Sequence, residues 1–243
     1  MRLLSCSALM VAALALPAPA ATLYSQFLFD GTTATDSLGH TTATETGAGT
    51  VGSGSYNFGL ADGLDLNFGT ALSSWSLVLR ANLDDMSGWR RVLATDVPLA
   101  SGGFVSDEGL YFRDGNLNYC CGGYGSSTTT TAANTDFVLA VVFDGSLSKV
   151  FLNGALQFSF PSGAAAHLPH ATDMLRLFND QVSYTDEEAS GKMDYLEIYD
   201  GALTDSEVLA RTGPMAAVPL PATGLLLAGA LAGLAALRRK RLA

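Results

Sequence analysis

Apolar and polar positions along the chain alternate with a period of two far more often than they recur at helical spacing, and Asp-Gly or Asn-Gly pairs break the alternating runs. Residues 23–29 predict a first strand ending at Asp30-Gly31. Residues 31–55, rich in Thr, Gly, Ala and Ser, predict loop with short extended pieces, and 56–68 predict strand interrupted at Asp62-Gly63. From Trp75 the alternation is clean: Trp75, Leu77, Leu79 and Ala81 on one face, Ser76, Val78 and Arg80 on the other. Residues 84–89 predict a loop ending in Trp89, and 90–95 a short strand. Residues 110–113 and 116–119 around Asp114-Gly115 form a hairpin signature. Residues 122–134, polar and threonine-rich, predict a flexible loop. Residues 137–143 are apolar on both faces, as in a central strand covered above and below. A second hairpin follows around Asn153-Gly154, then strands at 174–178 and 193–199. Thr204 and Glu207 stand in capping-box register, so one or two helical turns close the fold near Arg211. The expectation is an all-β, antiparallel two-sheet jelly-roll sandwich.

The two ends do not belong to that fold. Residues 1–20 carry Arg2, an apolar run from Ala8 to Leu16 and the small-residue site Ala18-Pro19-Ala20, the pattern of a secretory signal peptide removed by signal peptidase. Leu3-Leu4-Ser5-Cys6 has the letters of a lipoprotein box but precedes the apolar run, which argues against lipidation. At the other end, residues 213–222 form a linker carrying Val218-Pro219-Leu220-Pro221-Ala222. An uncharged stretch, 223–237, and the basic tail 238–243 with Arg238, Arg239, Lys240 and Arg241 follow. As a helix, 223–237 spans roughly 22 Å, short of the ~20 residues of a comfortable transmembrane crossing. The four cations hold the inner end in the cytoplasm. This tail resembles the VPLPA variant of the PEP-CTERM signal of Gram-negative bacteria. The resemblance implies an inner-membrane precursor, cleavage near the motif by an exosortase, and delivery to the cell surface, outer membrane or extracellular matrix. An unprocessed C-terminal anchor is the plainer reading of the same residues.

With Arg2 and the four terminal cations set aside, eight Lys and Arg face 23 acidic side chains, a net charge of −15. Such a surface excludes nucleic acid as a partner and repels anionic polymers unless divalent cations bridge them. Cys120 and Cys121 are adjacent. Neighbouring Cα atoms lie about 3.8 Å apart, below the usual disulfide span of about 4.4–6.8 Å. A strained vicinal disulfide, two thiols and a link to a second chain all remain open.

In residues 21–212 the order of pieces resembles the laminin-G-like group of the concanavalin A-like lectin/glucanase jelly rolls. The resemblance rests on Phe143-Asp144-Gly145 with Lys149-Val150-Phe151-Leu152-Asn153-Gly154. It rests equally on Met193-Asp194-Tyr195-Leu196-Glu197-Ile198-Tyr199 followed by Ala202-Leu203-Thr204 and Glu207. It implies a non-catalytic binding module for carbohydrate or exopolysaccharide, or an adhesion module. A structural surface protein making protein contacts and a diverged glycoside hydrolase are the competing readings. Glucanases of the wider fold set acidic residues at alternate positions of one strand face. Asp194, Glu197 and Asp200 are spaced by three, which predicts alternating faces. Strict alternation also sets Asp194 with Leu196 and Ile198, and Met193 with Tyr195, Glu197 and Tyr199. Asp186-Glu187-Glu188 predicts a solvated edge, and His40, His167 and His170 fall in loops without a second ligand pair.

The resemblance also implies one structural Ca²⁺, with Asp30 and Asp194 as partners from neighbouring first and last strands. Capping of turns is the alternative duty for both. Trp89, Tyr119 and Tyr124 are the aromatic candidates for stacking on sugar rings, with core packing as the competing role for Trp89.

Overall fold

The computed structural model describes residues 20–94, 109–120, 125–161, 174–179 and 187–212. In chain order the strands are β1 (Thr22–Phe27), β2 (Thr42–Thr46), β3 (Thr50–Gly52), β4 (Ser55–Phe58), β5 (Gly63–Asn67), β6 (Trp75–Leu83), β7 (Trp89–Ala94) and β8 (Gly109–Arg113). They continue as β9 (Asn116–Cys120), β10 (Gly125–Thr130), β11 (Phe137–Phe143), β12 (Leu147–Leu152), β13 (Ala155–Pro161), β14 (Met174–Leu177) and β15 (Gly191–Asp200), before helix α1 (Asp205–Thr212). One sheet runs β13-β12-β11-β6-β15-β4-β3, with β1 also paired to β15; the other runs β10-β9-β8-β7-β14-β5-β2. The strand pairs are antiparallel, as the alternation predicts.

The inner faces of both sheets supply the main core. Trp75, Leu77, Leu79 and Ala81 of β6 meet Leu110 and Phe112 of β8 and Leu175 and Leu177 of β14 there. A second apolar cluster lies on the outer face of the first sheet, where Leu203 and Val208 of the α1 region cover Val78, Val138, Ala140, Val142, Phe151 and Tyr199. β11 is therefore buried along its whole length, as its unbroken apolar run requires.

Both hairpins form where their turn residues place them. Asp114 and Gly115 have φ of 50° and 80°, as do Asn153 and Gly154, the left-handed pairs that close a two-residue turn with the twist of the strands. Gly154 is needed for space as well, because a Cβ there would stand 2.8 Å from Leu209 Cδ1 and Thr212 Oγ1. The capping box is closed: the Glu207 amide donates to Thr204 Oγ1 at 3.2 Å, and the Thr204 amide to Glu207 Oε2 at 2.8 Å.

Three expectations need correction. Residues 125–130 are not loop but strand β10, an edge strand paired to β9, and threonine suits such a half-exposed ladder. Glu188 does not sit on a solvated edge: it is buried, beside a Glu187 carbonyl that accepts the Arg91 amide at 2.7 Å. The third concerns β15. Its register against β6 slips between Met193 and Tyr195, a bulge at Asp194. Met193 consequently joins Leu196 and Ile198 in the main core, while Tyr195 and Tyr199 lie in the outer cluster. One extra residue reverses the parity that strict alternation assumes, and Asp194 and Glu197 come to share the outer face.

No helix of the described residues is long and apolar enough to cross a membrane. Residues 1–19 of the signal peptide and the sorting tail, including Val218 to Ala222 and Arg238 to Arg241, lie outside the described residues.

Candidate functional site

The outward positions of β6 read Ser76, Val78, Arg80, Asn82, and so pass from apolar to polar along one strand face. Lys192 of β15 is in register with Asn82 on one side and Asn57 of β4 on the other, and Asn57 with Thr50 of β3. A polar row thus crosses four strands at one end of the first sheet. The loop after β4 and the turn before β11 rise beside this row and leave a cavity of about 550 Å³. Its lining includes Asn57, Asn82, Asn134, Asp62, Asp84 and Lys192. Gly191 keeps the floor tight, since a Cβ there would stand 2.0 Å from the Asn82 carbonyl oxygen.

Each carboxamide is oriented by a neighbour through its NH₂ group. Asn82 Nδ2 donates to Asp136 Oδ1 at 2.9 Å, Asn57 Nδ2 to Ser55 Oγ at 3.3 Å, and Asn134 Nδ2 to the Asp84 carbonyl at 3.3 Å. The Asp84 amide donates to the Ser190 carbonyl at 2.9 Å, which fixes its backbone while its side chain stays exposed. Asp62 turns inward instead, accepting the Ala48 and Gly59 amides at 2.5 and 2.8 Å. It shapes the wall.

One row further along β6 and β15 lies a second cavity of about 370 Å³, lined by Leu28, Asp30, Gly54, Arg80, Asp194 and Tyr195. Between the two runs an ion-paired ridge. Arg80 Nη2 meets Asp136 Oδ2 at 2.8 Å and Arg80 Nε meets Asp194 Oδ2 at 3.5 Å; Lys192 Nζ lies 3.4 Å from Asp194 Oδ1 and 4.0 Å from Asp136 Oδ1. Hydrogen bonds from Asn82 and Arg80 hold the Asp136 carboxyl below the usual carboxylate range, and the bond to Asp136 in turn raises the Arg80 guanidinium.

Asp30 and Asp194 do line the same cavity, and β1 and β15 do pair. They do not fit a calcium ion: two cationic side chains occupy the Asp194 carboxylate, where a hard cation would need unshared oxygens. The described residues contain no cluster of three or more acidic, histidine or cysteine side chains able to hold a metal. Trp89 opens β7 rather than ending a loop. Its half-buried ring lies edge-on to Tyr111 with the Arg113 guanidinium 4.9 Å from its centre, on the other sheet. Tyr119 is corrected outright: it is 3 % exposed in the main core, 4.3 Å from the Phe160 ring, and presents no face to a ligand. Tyr124 and Cys121 lie outside the described residues, as do His167 and His170. Cys120 is disulfide-bonded. Glu197 accepts from Tyr199 Oη at 2.6 Å and Gln26 Nε2 at 3.1 Å, so although it shares a face with Asp194 it is committed beside α1.

The residues that sequence reasoning missed are Asn57, Asn82, Asn134, Asp84 and Lys192. Asn82 extends the outward series of β6, and only that signal was legible. Asn57 and Lys192 meet it through strand pairing between distant segments, Asn134 through the hydrogen bond of its amide to the Leu83 carbonyl, and Asp84 stands just past the end of β6.

A laminin G family model, described as the concanavalin A-like lectin/glucanases superfamily, matches residues 58–209. No curated protein matches the chain. Among solved structures, the chain is similar to domain 4 of AbnA, a GH43 extracellular arabinanase from Geobacillus stearothermophilus, in complex with arabinotriose. Identity is 20 %, the TM-score is 0.56, and 79 % of this chain and 98 % of that one are covered. It is also similar to the botulinum neurotoxin serotype D binding domain, at 12 % identity and a TM-score of 0.55, over 79 % of this chain and 51 % of that one. A botulinum neurotoxin type C structure, whose cell entry depends on two ganglioside molecules, matches at 10 % identity with a TM-score of 0.56, over 79 % and 50 %. The chain therefore spans nearly all of the arabinanase domain and about half of each toxin chain. At these identities the likeness is one of fold.

Proposed function

Because the chain belongs to the concanavalin A-like lectin/glucanases superfamily, we propose that it is a non-catalytic carbohydrate-binding module, exported and carried to the cell surface or its polysaccharide matrix. The observation that carries this reading is the polar cavity at the end of the first sheet. The oriented carboxamides of Asn57 and Asn82 stand on strands there, with that of Asn134 on a turn and the exposed carboxylate of Asp84 just past β6, the groups that exchange hydrogen bonds with sugar hydroxyls. The similar arabinanase domain in complex with arabinotriose and the ganglioside-dependent toxin lend it support. Neither cavity pairs two carboxylates that stand clear of cationic or structural partners, as glycoside hydrolysis asks.

The route to the surface rests on the two chain ends: a signal peptide for export, and the VPLPA motif, uncharged stretch and basic tail for exosortase sorting. The test is binding of the full chain, in detergent, to the producing cell's own exopolysaccharide, with and without chelator, alongside release of reducing ends. Saturable binding without release is expected. Release of reducing ends would make it a hydrolase, and no binding would leave a structural role. Replacing Pro219 and Pro221 with Ala is expected to leave the precursor in the inner-membrane fraction; unchanged delivery would remove the sorting reading.

A further inference from the structure

We infer that the two cavities, one on each side of the ion-paired ridge, together take an uncharged, hydroxyl-rich glycan segment and reject uronate, sialylated or sulfated ones. The inference rests on the carbohydrate reading and narrows it to a place and a charge class. The cavities are set two residues apart along β6, at Arg80 and Asn82, and along β15, at Asp194 and Lys192. That offset is about 7 Å at the rise of a strand, a length that consecutive sugar units can bridge.

The charge selectivity follows from how the cations are used. Arg80 and Lys192, the cationic side chains lining the cavities, are both engaged by Asp136 and Asp194 in the ridge between them. The NH₂ groups of Asn57, Asn82 and Asn134 each give one N–H to a protein acceptor. What remains for a ligand is acceptor oxygen, from the amide oxygens of those residues and the exposed carboxylates of Asp84 and Asp30, with the second, neutral N–H of each carboxamide beside it. Such a lining exchanges hydrogen bonds with hydroxyls. A carboxylate or sulfate entering it would meet carboxylates whose cations are already ion-paired, in a chain of net charge −10. Leu28, half-buried, gives the second cavity an apolar wall against which a sugar's C–H face can lie.

The test is a glycan panel of neutral oligosaccharides (arabinotriose, gluco- and manno-oligosaccharides) and their acidic counterparts (oligogalacturonate, sialylated and sulfated chains). It is presented to the full chain in chelator at two salt concentrations. Binding confined to neutral members, rising with chain length and indifferent to salt, is expected. Asn57→Trp, which fills the first cavity from an exposed position, should weaken that binding by about tenfold or more. Asp136→Asn, which removes the 2.8 Å partner of Arg80 and leaves Asp194 as the one carboxylate of the ridge beside two cations, should admit acidic members in a salt-sensitive manner. Preference of the unmodified chain for acidic glycans would overturn the charge selectivity while leaving a carbohydrate module. Undiminished neutral binding by Asn57→Trp, with the fold intact by circular dichroism, would overturn the location. Binding to no glycan of either class would instead remove the carbohydrate reading itself.

Discussion

The outer face of the first sheet has two halves built from the same strands, and they behave oppositely. Toward the C-terminal end of β15, Val78, Val142 and Tyr199 lie under Leu203 and Val208, and the face is sealed. Toward its N-terminal end, Asn57, Asn82, Lys192 and Asp194 occupy equivalent outward positions, and the face opens into two cavities. Tyr195 marks the border: it belongs to the apolar cluster, donates through its hydroxyl to the Arg211 carbonyl at 3.1 Å, and lines the second cavity. Backbone geometry is common to both halves. Side-chain chemistry at alternate positions, and the bulge that turns Asp194 outward, decide which half a helix covers and which a ligand can reach.

That division can be broken from the sealed side first. Leu203→Ala removes a side chain that is 3 % exposed and should cost about 2–5 kcal/mol in denaturant unfolding. Glycan binding by the fraction still folded should be retained. Alkali should act next. Burial pushes the Tyr195 phenol up to about 12. A raised folded-state value means that its stabilisation is complete below the unfolded value near pH 10 and is lost as pH rises from about 10 to about 12. The loss from this group is roughly 2–3 kcal/mol, measurable as a falling denaturation midpoint, and Tyr195→Phe should lessen that slope, the remainder coming from the Tyr56 and Tyr199 phenols, which burial also raises. Thr204→Ala takes away the cap of α1 and should cost about 1 kcal/mol, again sparing the open half.

The smallest stability effect should come from the open half. Asp136 is half-exposed, so loss of its ion pairs through Asp136→Asn is worth less than about 1 kcal/mol. Its depressed carboxyl contributes only above the ordinary carboxylate range, and that contribution is lost as pH falls through about 4 and below. Stability would barely register the change; the charge class of the bound glycan should.

The contrast between the halves also accounts for what could be read in advance. The two hairpins, central strand β11 and the capping box were legible because each is fixed by neighbours in sequence: Asp114-Gly115, Asn153-Gly154, an unbroken apolar run, and Thr204 with Glu207. The bulge at Asp194 was not, because strict alternation carries no mark of an inserted residue, and it moved Met193 to the core. Tyr119 was misjudged for the same kind of reason: its burial depends on Phe160 from another hairpin. The open half is assembled from β3, β4, β6, β15 and the turn at Asn134, so its residues become neighbours only after the sheet has formed.

The central claim, that the open half receives an uncharged glycan, is tested most directly by nitrogen–proton NMR of the full chain in detergent. The side-chain amides of Asn57, Asn82 and Asn134 would be followed while the tightest-binding neutral oligosaccharide is added. Saturable shifts of these three resonances, with the Trp89 indole unmoved, are the predicted result. Shifts at Trp89 with the three amides still would place the ligand on the opposite sheet and contradict the account.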